Sequence, residues 1–321
     1  MIHPIPSGTR DVLPDEMREL RAISDALRAV FEDAGYGEVA TPALEYEEVL
    51  ARAGGDARPA YRVVDDHGEV LTLRSDMTAP IARVVATRYA HAEPPLRLWY
   101  MANVHRAVRP HRGQMREFLQ AGIELIGAPG PEGTAEALGV LCRALDATGL
   151  TGYRIGLGDA SLYPSLVRAL GLGDDVLELL LGALARQDFV ELENTVEELG
   201  LSAGAGELLV GVPQLRGGAE LLASAPGPAA DAVGGLRRVC ELLEPAAGER
   251  VIFDLGLTRR LGYYTGAVFE VYDPALGEPL GGGGRYDELL GRFGRPLPAV
   301  GFALGVDALH VALAGEEGGA A

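Results

Sequence analysis

The sequence predicts an α+β fold: an antiparallel sheet flanked by helices, with a helical insertion. Three observations carry this. Strand patterns cluster toward both ends of the chain, a stretch rich in Leu, Ala and Gly with helical spacing separates them, and no sustained βαβ alternation is present. Gly156-x-Gly158 is followed by Ser161 where a dinucleotide fingerprint needs glycine or alanine, so that reading is weak.

Taken in order, residues 14 to 34 read as an amphipathic helix. Pro14 suits its first turn, Asp15 and Glu16 complement the helix dipole, and Gly35 stops it. A short strand follows over Glu38 to Thr41. Tyr61 to Val64 and Glu69 to Leu73 flank the turn Asp65-Asp66-His67-Gly68 as a hairpin. Thr78 to Tyr89 reads as a helix, Leu96 to Arg106 and Arg116 to Ile126 as strands, 131 to 149 as a helix, and Tyr153 to Gly158 as a strand. Residues 160 to 247 form the expected insertion, with helices at Asp175 to Arg186 and Phe189 to Leu199 and a linker at Ser224 to Pro228. Strands return at Val251 to Leu255, Ala267 to Tyr272 and Ala299 to Leu304, around a four-glycine run at Gly281 to Gly284. A helix from Val306 to Ala314 closes the fold. The expected units are therefore a core formed by 1–159 and 248–315, the insertion 160–247, and a disordered tail 316–321.

The chain of 321 residues is 48% hydrophobic and carries a net charge of −18. No apolar run approaches the ~20 residues of a membrane span, and the N-terminus lacks a secretory pattern, so a cytoplasmic protein is expected. The acidic balance disfavours nucleic acid, whose affinity rests on neutralising phosphates. Every one of the 28 basic residues is arginine, which excludes lysine Schiff bases and phosphate loops of the GxxxxGK[ST] type. Cys142 and Cys240 sit in apolar helical patterns as buried thiols, and the six histidines lack metal-ligand spacing. No metal and no cofactor is expected.

One window departs from the acidic background. From Pro94 to Arg116 there is no carboxylate, while Arg97, Arg106, Arg109, Arg112 and Arg116 accompany His105 and His111. Arginine forks match phosphate and carboxylate oxygens, so Arg106 and Arg112 are candidate anion ligands; a solvated hairpin tip is the bland alternative.

The segment Leu98 to Arg106, then Arg109-Pro110-His111-Arg112-Gly113, then Arg116 to Glu124 resembles the second class II signature of histidyl-tRNA synthetases. Ser7 to Pro14 is similar to that family's opening, and Gly35-Tyr36 through Pro42 to its first class II signature, which implies a homodimer interface there. Thr72 to Thr78 resembles its amino-acid-pocket strand. Arg259 to Gly266 and Gly282 to Asp287 resemble its two histidine-specific motifs, and Ala299 to Gly305 its third signature. The resemblance runs from about residue 7 to 314 and implies a class II aminoacyl-tRNA-synthetase-like fold.

The resemblance implies histidine-binding roles for Gln120, Glu124, Tyr263, Tyr264, Tyr286 and Arg259, with Asp76 replacing a glutamate one methylene longer. It also exposes losses. Val108 stands where a glutamate meets the adenine amino group, Leu119 where a histidine is expected, Gly262 where an acid is expected, and Ala308 where an arginine holds the γ-phosphate side of ATP; Arg260 is a gained cation. Loss of one such arginine alone costs on the order of 10²-fold in transition-state stabilisation. The anticodon-binding domain of the family is expected to be absent.

A core with these departures resembles the regulatory subunits of ATP phosphoribosyltransferase. That resemblance implies no catalysis by this chain, a hetero-oligomer with a short-form catalytic subunit that it activates, and histidine as effector of the first step of histidine biosynthesis, with tRNA binding disfavoured. Two alternatives stay open: a truncated histidyl-tRNA synthetase that activates histidine with ATP, and a tRNA- or RNA-binding paralogue using the arginine loop.

Overall fold

The computed structural model describes residues 5–54, 60–107, 115–223, 230–257 and 262–319. The chain opens with α1 (Pro14–Asp33), whose Leu20, Ile23, Leu27 and Phe31 are buried at helical spacing, then β1 (Gly37–Glu38), β2 (Leu44–Tyr46), α2 (Glu47–Ala53), β3 (Arg62–Val64) and β4 (Val70–Leu73). It continues with α3 (Thr78–Thr87), the ten-residue strands β5 (Leu96–His105) and β6 (Glu117–Ile126), α4 (Gly130–Ala147) and β7 (Arg154–Asp159). Helices α5 (Leu162–Ala169), α6 (Asp174–Ala185), α7 (Phe189–Glu198) and α8 (Ala203–Gly211) follow, then β8 (Arg216–Gly217), α9 (Ala230–Leu242) and α10 (Pro245–Gly248). The last part comprises β9 (Val251–Asp254), β10 (Ala267–Tyr272), β11 (Gly281–Arg285), α11 (Leu289–Arg292), β12 (Ala299–Gly305) and α12 (Val306–Gly319).

Nine strands form the main sheet in the order β1-β5-β6-β12-β11-β10-β7-β9-β8; β2, β4 and β3 form a small second sheet. The main sheet is antiparallel through its centre, as expected, with parallel pairs at β1–β5 and β7–β9 that the sequence did not announce. A parallel pair needs a long crossover. The helical insertion supplies one between β7 and β9, and the segment from β2 through α3 supplies the other.

The two faces of the sheet differ. On one, α1 packs against α4 and α12, and α4 against α9, over a core that includes Trp99, Ile123, Leu125, Phe269 and Phe302. The same cluster takes in Leu180, Leu192, Leu209 and Leu236, so the insertion shares this core. On the other face, Tyr100, Met77, Ile81 and Leu289 gather with Tyr263 and Tyr286, and a cavity opens beside them.

Further features depart from the sequence reading. β2 is a strand where none was expected. The four-glycine run is itself a strand, β11, at the sheet's centre: a Cβ on Gly283 would collide with the Gly301 carbonyl and the Phe269 ring, so only glycine fits. The tail is also corrected, because α12 runs on to Gly319 where disorder over 316–321 was expected. Glu316 anchors it by accepting from the Thr151 and Gly152 N–H groups (3.1 and 2.6 Å) and the Thr151 hydroxyl (2.9 Å). The linker expected at 224–228 lies outside the described residues.

Candidate functional site

The cavity, about 650 Å³, lies over β6, β12, β11 and β10 on the face away from α4. At its floor, Glu124 of β6 is 2% exposed. Its register partner is Gly301, whose missing side chain leaves the space that the carboxyl group fills. The Thr78 hydroxyl, at the start of α3, donates to Glu124 Oε1 at 2.8 Å, and the Tyr286 hydroxyl donates to Oε2. Burial pushes the Glu124 carboxyl up to about 8 against the pull of these two donors, and the charge of Asp76 adds to the rise. The group is thus a buried acid, largely protonated at neutral pH, that a bound cation would ionise.

Three tyrosines wall this end. The rings of Tyr263 and Tyr264 lie 4.9 Å apart, Tyr263 and Tyr286 5.6 Å, and Tyr264 and Tyr286 6.4 Å, all tilted or edge-on. Burial holds the hydroxyls of Tyr100, Tyr263 and Tyr286 well above the usual tyrosine value, so they remain donors. Asp76 lines the same space, accepting weakly from Ser75 and the Ala79 N–H at 3.4 Å each. Gln120 lines the cavity farther along β6, opposite Gly305; its Oε1 is buried without a hydrogen-bond partner, an acceptor that a ligand N–H would satisfy. The arrangement suits a small molecule with an aromatic or planar group and a cationic donor.

The opposite end has a different character. Among the described residues, the whole cavity is lined by six carboxyl side chains (Glu16, Asp76, Glu124, Glu270, Glu278 and Asp307) against Arg10, Arg106 and His310. Arg10 is already engaged, by Glu16 and by Asp307 at 2.6 Å. Asp307 also accepts from the Leu119 N–H at 3.1 Å, which fixes its carboxylate at the junction of β6 and α12. The Arg106 guanidinium lies over the Phe118 ring, 4.7 Å from its centre. Ala308 lines this end and offers it no charge.

The structure therefore brings Asp76, Gln120, Glu124, Tyr263, Tyr264 and Tyr286 together, with Arg106 and Ala308 at the same cavity. Two expected losses sit elsewhere. Leu119 alternates to the helix-covered face of β6 and packs in that core, and Gly262 is exposed in the turn before Tyr263. Arg259, Arg112 and Val108 lie outside the described residues, as does Arg260. Sequence reasoning missed Thr78 and Tyr100 as pocket residues, and the acidic lining of Glu16, Glu270, Glu278 and Asp307. Thr78 stood two residues from Asp76 in the same motif. The acids come from four separated segments and carried no local signal.

A family model described as histidyl-tRNA synthetase matches residues 8–309. Among solved structures, one described as an ATP phosphoribosyltransferase regulatory subunit/histidyl-tRNA synthetase from Bacillus halodurans has a TM-score of 0.90 at 35% identity, covering 98% of this chain and 84% of its own. A histidyl-tRNA synthetase from Nostoc sp. shares the fold at 23% identity, with a TM-score of 0.81 over 96% of this chain and 74% of its own. Fold and family model together define the class, a histidyl-tRNA-synthetase-like α+β core. The relatives narrow it. Proteins named ATP phosphoribosyltransferase regulatory subunit from Desulforamulus reducens and Symbiobacterium thermophilum are 42% and 44% identical, spanning 95% and 96% of this chain and 78% and 79% of their own lengths. The chain belongs to the family of ATP phosphoribosyltransferase regulatory subunits.

Proposed function

We propose that this chain is a non-catalytic subunit that activates a short-form ATP phosphoribosyltransferase catalytic subunit and makes the first step of histidine biosynthesis sensitive to histidine, which it holds in the pocket around Glu124. The observation that carries this reading is the contrast between the two ends of one cavity. Glu124 and the three tyrosines suit an imidazole and an α-ammonium, with the unpartnered Gln120 carbonyl a further acceptor along β6. The other end presents Glu16, Glu270, Glu278 and Asp307, with Arg10 already paired, to the place where a triphosphate would need cations. Amino-acid recognition is supported and ATP activation is opposed. In this reading Arg259 takes part in histidine binding, Arg106 and Arg112 are remnants of an anion site, and residues 35–42 join two copies of the chain.

Coexpression with a short-form catalytic subunit, followed by co-purification and assay with and without histidine, tests the proposal. A stable complex whose activity exceeds that of the catalytic subunit alone, and falls with histidine, is the expected result. Absence of association sinks it. Robust histidine-dependent ATP–pyrophosphate exchange by this chain alone would instead establish a truncated synthetase.

A further inference from the structure

The helical insertion carries one helix that its surroundings do not account for. Glu207 is the one charged residue of α8, which is otherwise built from Ala, Gly, Leu and Val on every side. A helix that is apolar all round is normally buried. In α8 only Leu209 is buried, while Leu208 and Val210 are half-buried. Between α7 and α8 lies a groove of about 610 Å³, separate from the cavity around Glu124. Its apolar lining comes from Val196 of α7, Leu201 of the turn and Val210 of α8. Gly206 and Gly211 line it as well, and a Cβ on Gly211 would meet nothing within 4 Å, so another chain can approach closely there. The charged residues of the groove are all acids. Glu193 and Glu197 stand one turn apart on α7, and Glu207 stands on α8. Among the described residues no basic side chain lines the groove, and the ion pair that α7 does make, Glu191 with Arg186, leaves these three carboxylates out. Val190, 69% exposed, continues the stripe of Glu193 and Glu197 by one more turn.

We propose that this groove docks a basic amphipathic helix of a partner protein, whose apolar face covers Val196, Leu201 and Val210 and whose cationic side chains meet Glu193, Glu197 and Glu207. The mode of docking follows from the elements. No strand lines the groove, so an added strand has no sheet edge to extend, and a helix laid along an apolar groove is the recognition mode that fits. The chemistry of the occupant follows from charge. A second copy of the chain brings a net −18 to an acidic rim, and a phosphate backbone brings like charge as well. A cationic helix instead places opposite charges around the apolar strip and covers the side of α8 that the chain itself leaves open.

Fluorescence anisotropy with the full chain at physiological salt tests it. The probe is a labelled peptide of ~16 residues, long enough to hold a helix, with leucines at i, i+3, i+4 and i+7 and arginines on both flanks. Wild type should bind it saturably. Glu193→Gln/Glu197→Gln/Glu207→Gln should weaken binding at least ~10-fold, the combined worth of three exposed charge pairs, whereas the charge-matched variant Glu32→Gln/Glu93→Gln/Glu288→Gln should stay within about 2-fold of wild type. Those three control carboxylates are exposed and lie outside the insertion. Equal losses in the two variants, or equal binding of a scrambled peptide of the same composition, would reduce the effect to general charge attraction and overturn the proposal. Hydrogen exchange of the wild type gives a second reading that needs no variant: the amides of α7 and α8 should gain protection on adding the peptide. Protection of α7 and α8 that instead follows the chain's own concentration assigns the groove to a second copy, and protection by added bulk tRNA assigns it to nucleic acid; either result overturns the proposal.

Discussion

At the scale of single residues, Glu124 joins binding to protonation. A carboxyl group that burial holds at about 8 must lose its proton to pair with a cationic ligand. Histidine binding should therefore release close to one proton at pH 7 and about half a proton at pH 8, and affinity should climb with pH until it levels above about 8. Calorimetry in buffers of different ionisation enthalpy reads this directly; a buffer-independent heat would show that Glu124 does not meet the ligand. Glu124→Gln should weaken histidine by about 10- to 100-fold, the usual worth of a charge-assisted bond in a buried site, and abolish the proton release. The fold should respond in the opposite direction. Because the folded value lies above the unfolded one, stability is greatest below about pH 4.5 and declines as pH rises toward about 8, by roughly 3 kcal/mol at pH 7. Glu124→Gln removes that slope, so denaturant titrations of the ligand-free proteins should converge at low pH and favour the variant at pH 8. Glu124, Gln120 and the tyrosines were legible in the sequence because they sit in motifs with fixed gaps. The carboxyl's environment was not, since Thr78, Tyr286 and Gly301 reach it only through the fold.

At the scale of elements, the strands β6, β11 and β12 work through what they lack. Gly301 opposes Glu124, and a methyl group there would take the place of the carboxylate. Gly301→Ala should lower histidine affinity at least about 10-fold and destabilise by about 1–3 kcal/mol through overpacking. Gly139→Ala, in α4 with open space around it, should stabilise by about 0.5–1 kcal/mol and leave histidine binding unchanged. Equal effects of the two on binding would remove the special role given to Gly301. The same chemistry explains why parts of the fold were unreadable in advance. Long amphipathic elements such as α1 and the β5–β6 hairpin announce themselves by period. Four of the five residues of β11 are glycine, with no side chains to alternate, and β2 is three residues long. The parallel pairings depend on partners some sixty to a hundred residues away. The end of α12 is a related case, because its anchor Glu316 binds backbone N–H groups at 151 and 152 that no local pattern reveals. Glu316→Ala should cost about 1 kcal/mol and lower the melting temperature by about 2 °C. An unchanged melt would mean that the tail is idle.

At the scale of the whole molecule, the question is whether the pocket around Glu124 is the place from which histidine controls a partner. Thermodynamic linkage supplies the argument. If histidine binds one arrangement of the complex more tightly than another, it shifts the partner's activity only through that difference, and the partner changes histidine affinity by the same factor. A typical coupling of about 1–3 kcal/mol corresponds to about 5- to 150-fold. Glu124→Gln reports on this because Glu124 is buried at the cavity floor. The variant should still assemble with the short catalytic subunit and still activate it. Its histidine inhibition curve should move to higher concentration by the same factor by which calorimetry finds its affinity for histidine reduced, with activity in the absence of histidine unchanged. Measuring both on one preparation makes the comparison strict. An inhibition curve that stays in place while the pocket's affinity falls would put the effector site elsewhere, at the contact between subunits, and would leave the pocket as a binding site without control over the enzyme. Parallel shifts would make the amino-acid end of a synthetase-like cavity the sensor, and the acid-lined remainder the reason it reads histidine without consuming ATP.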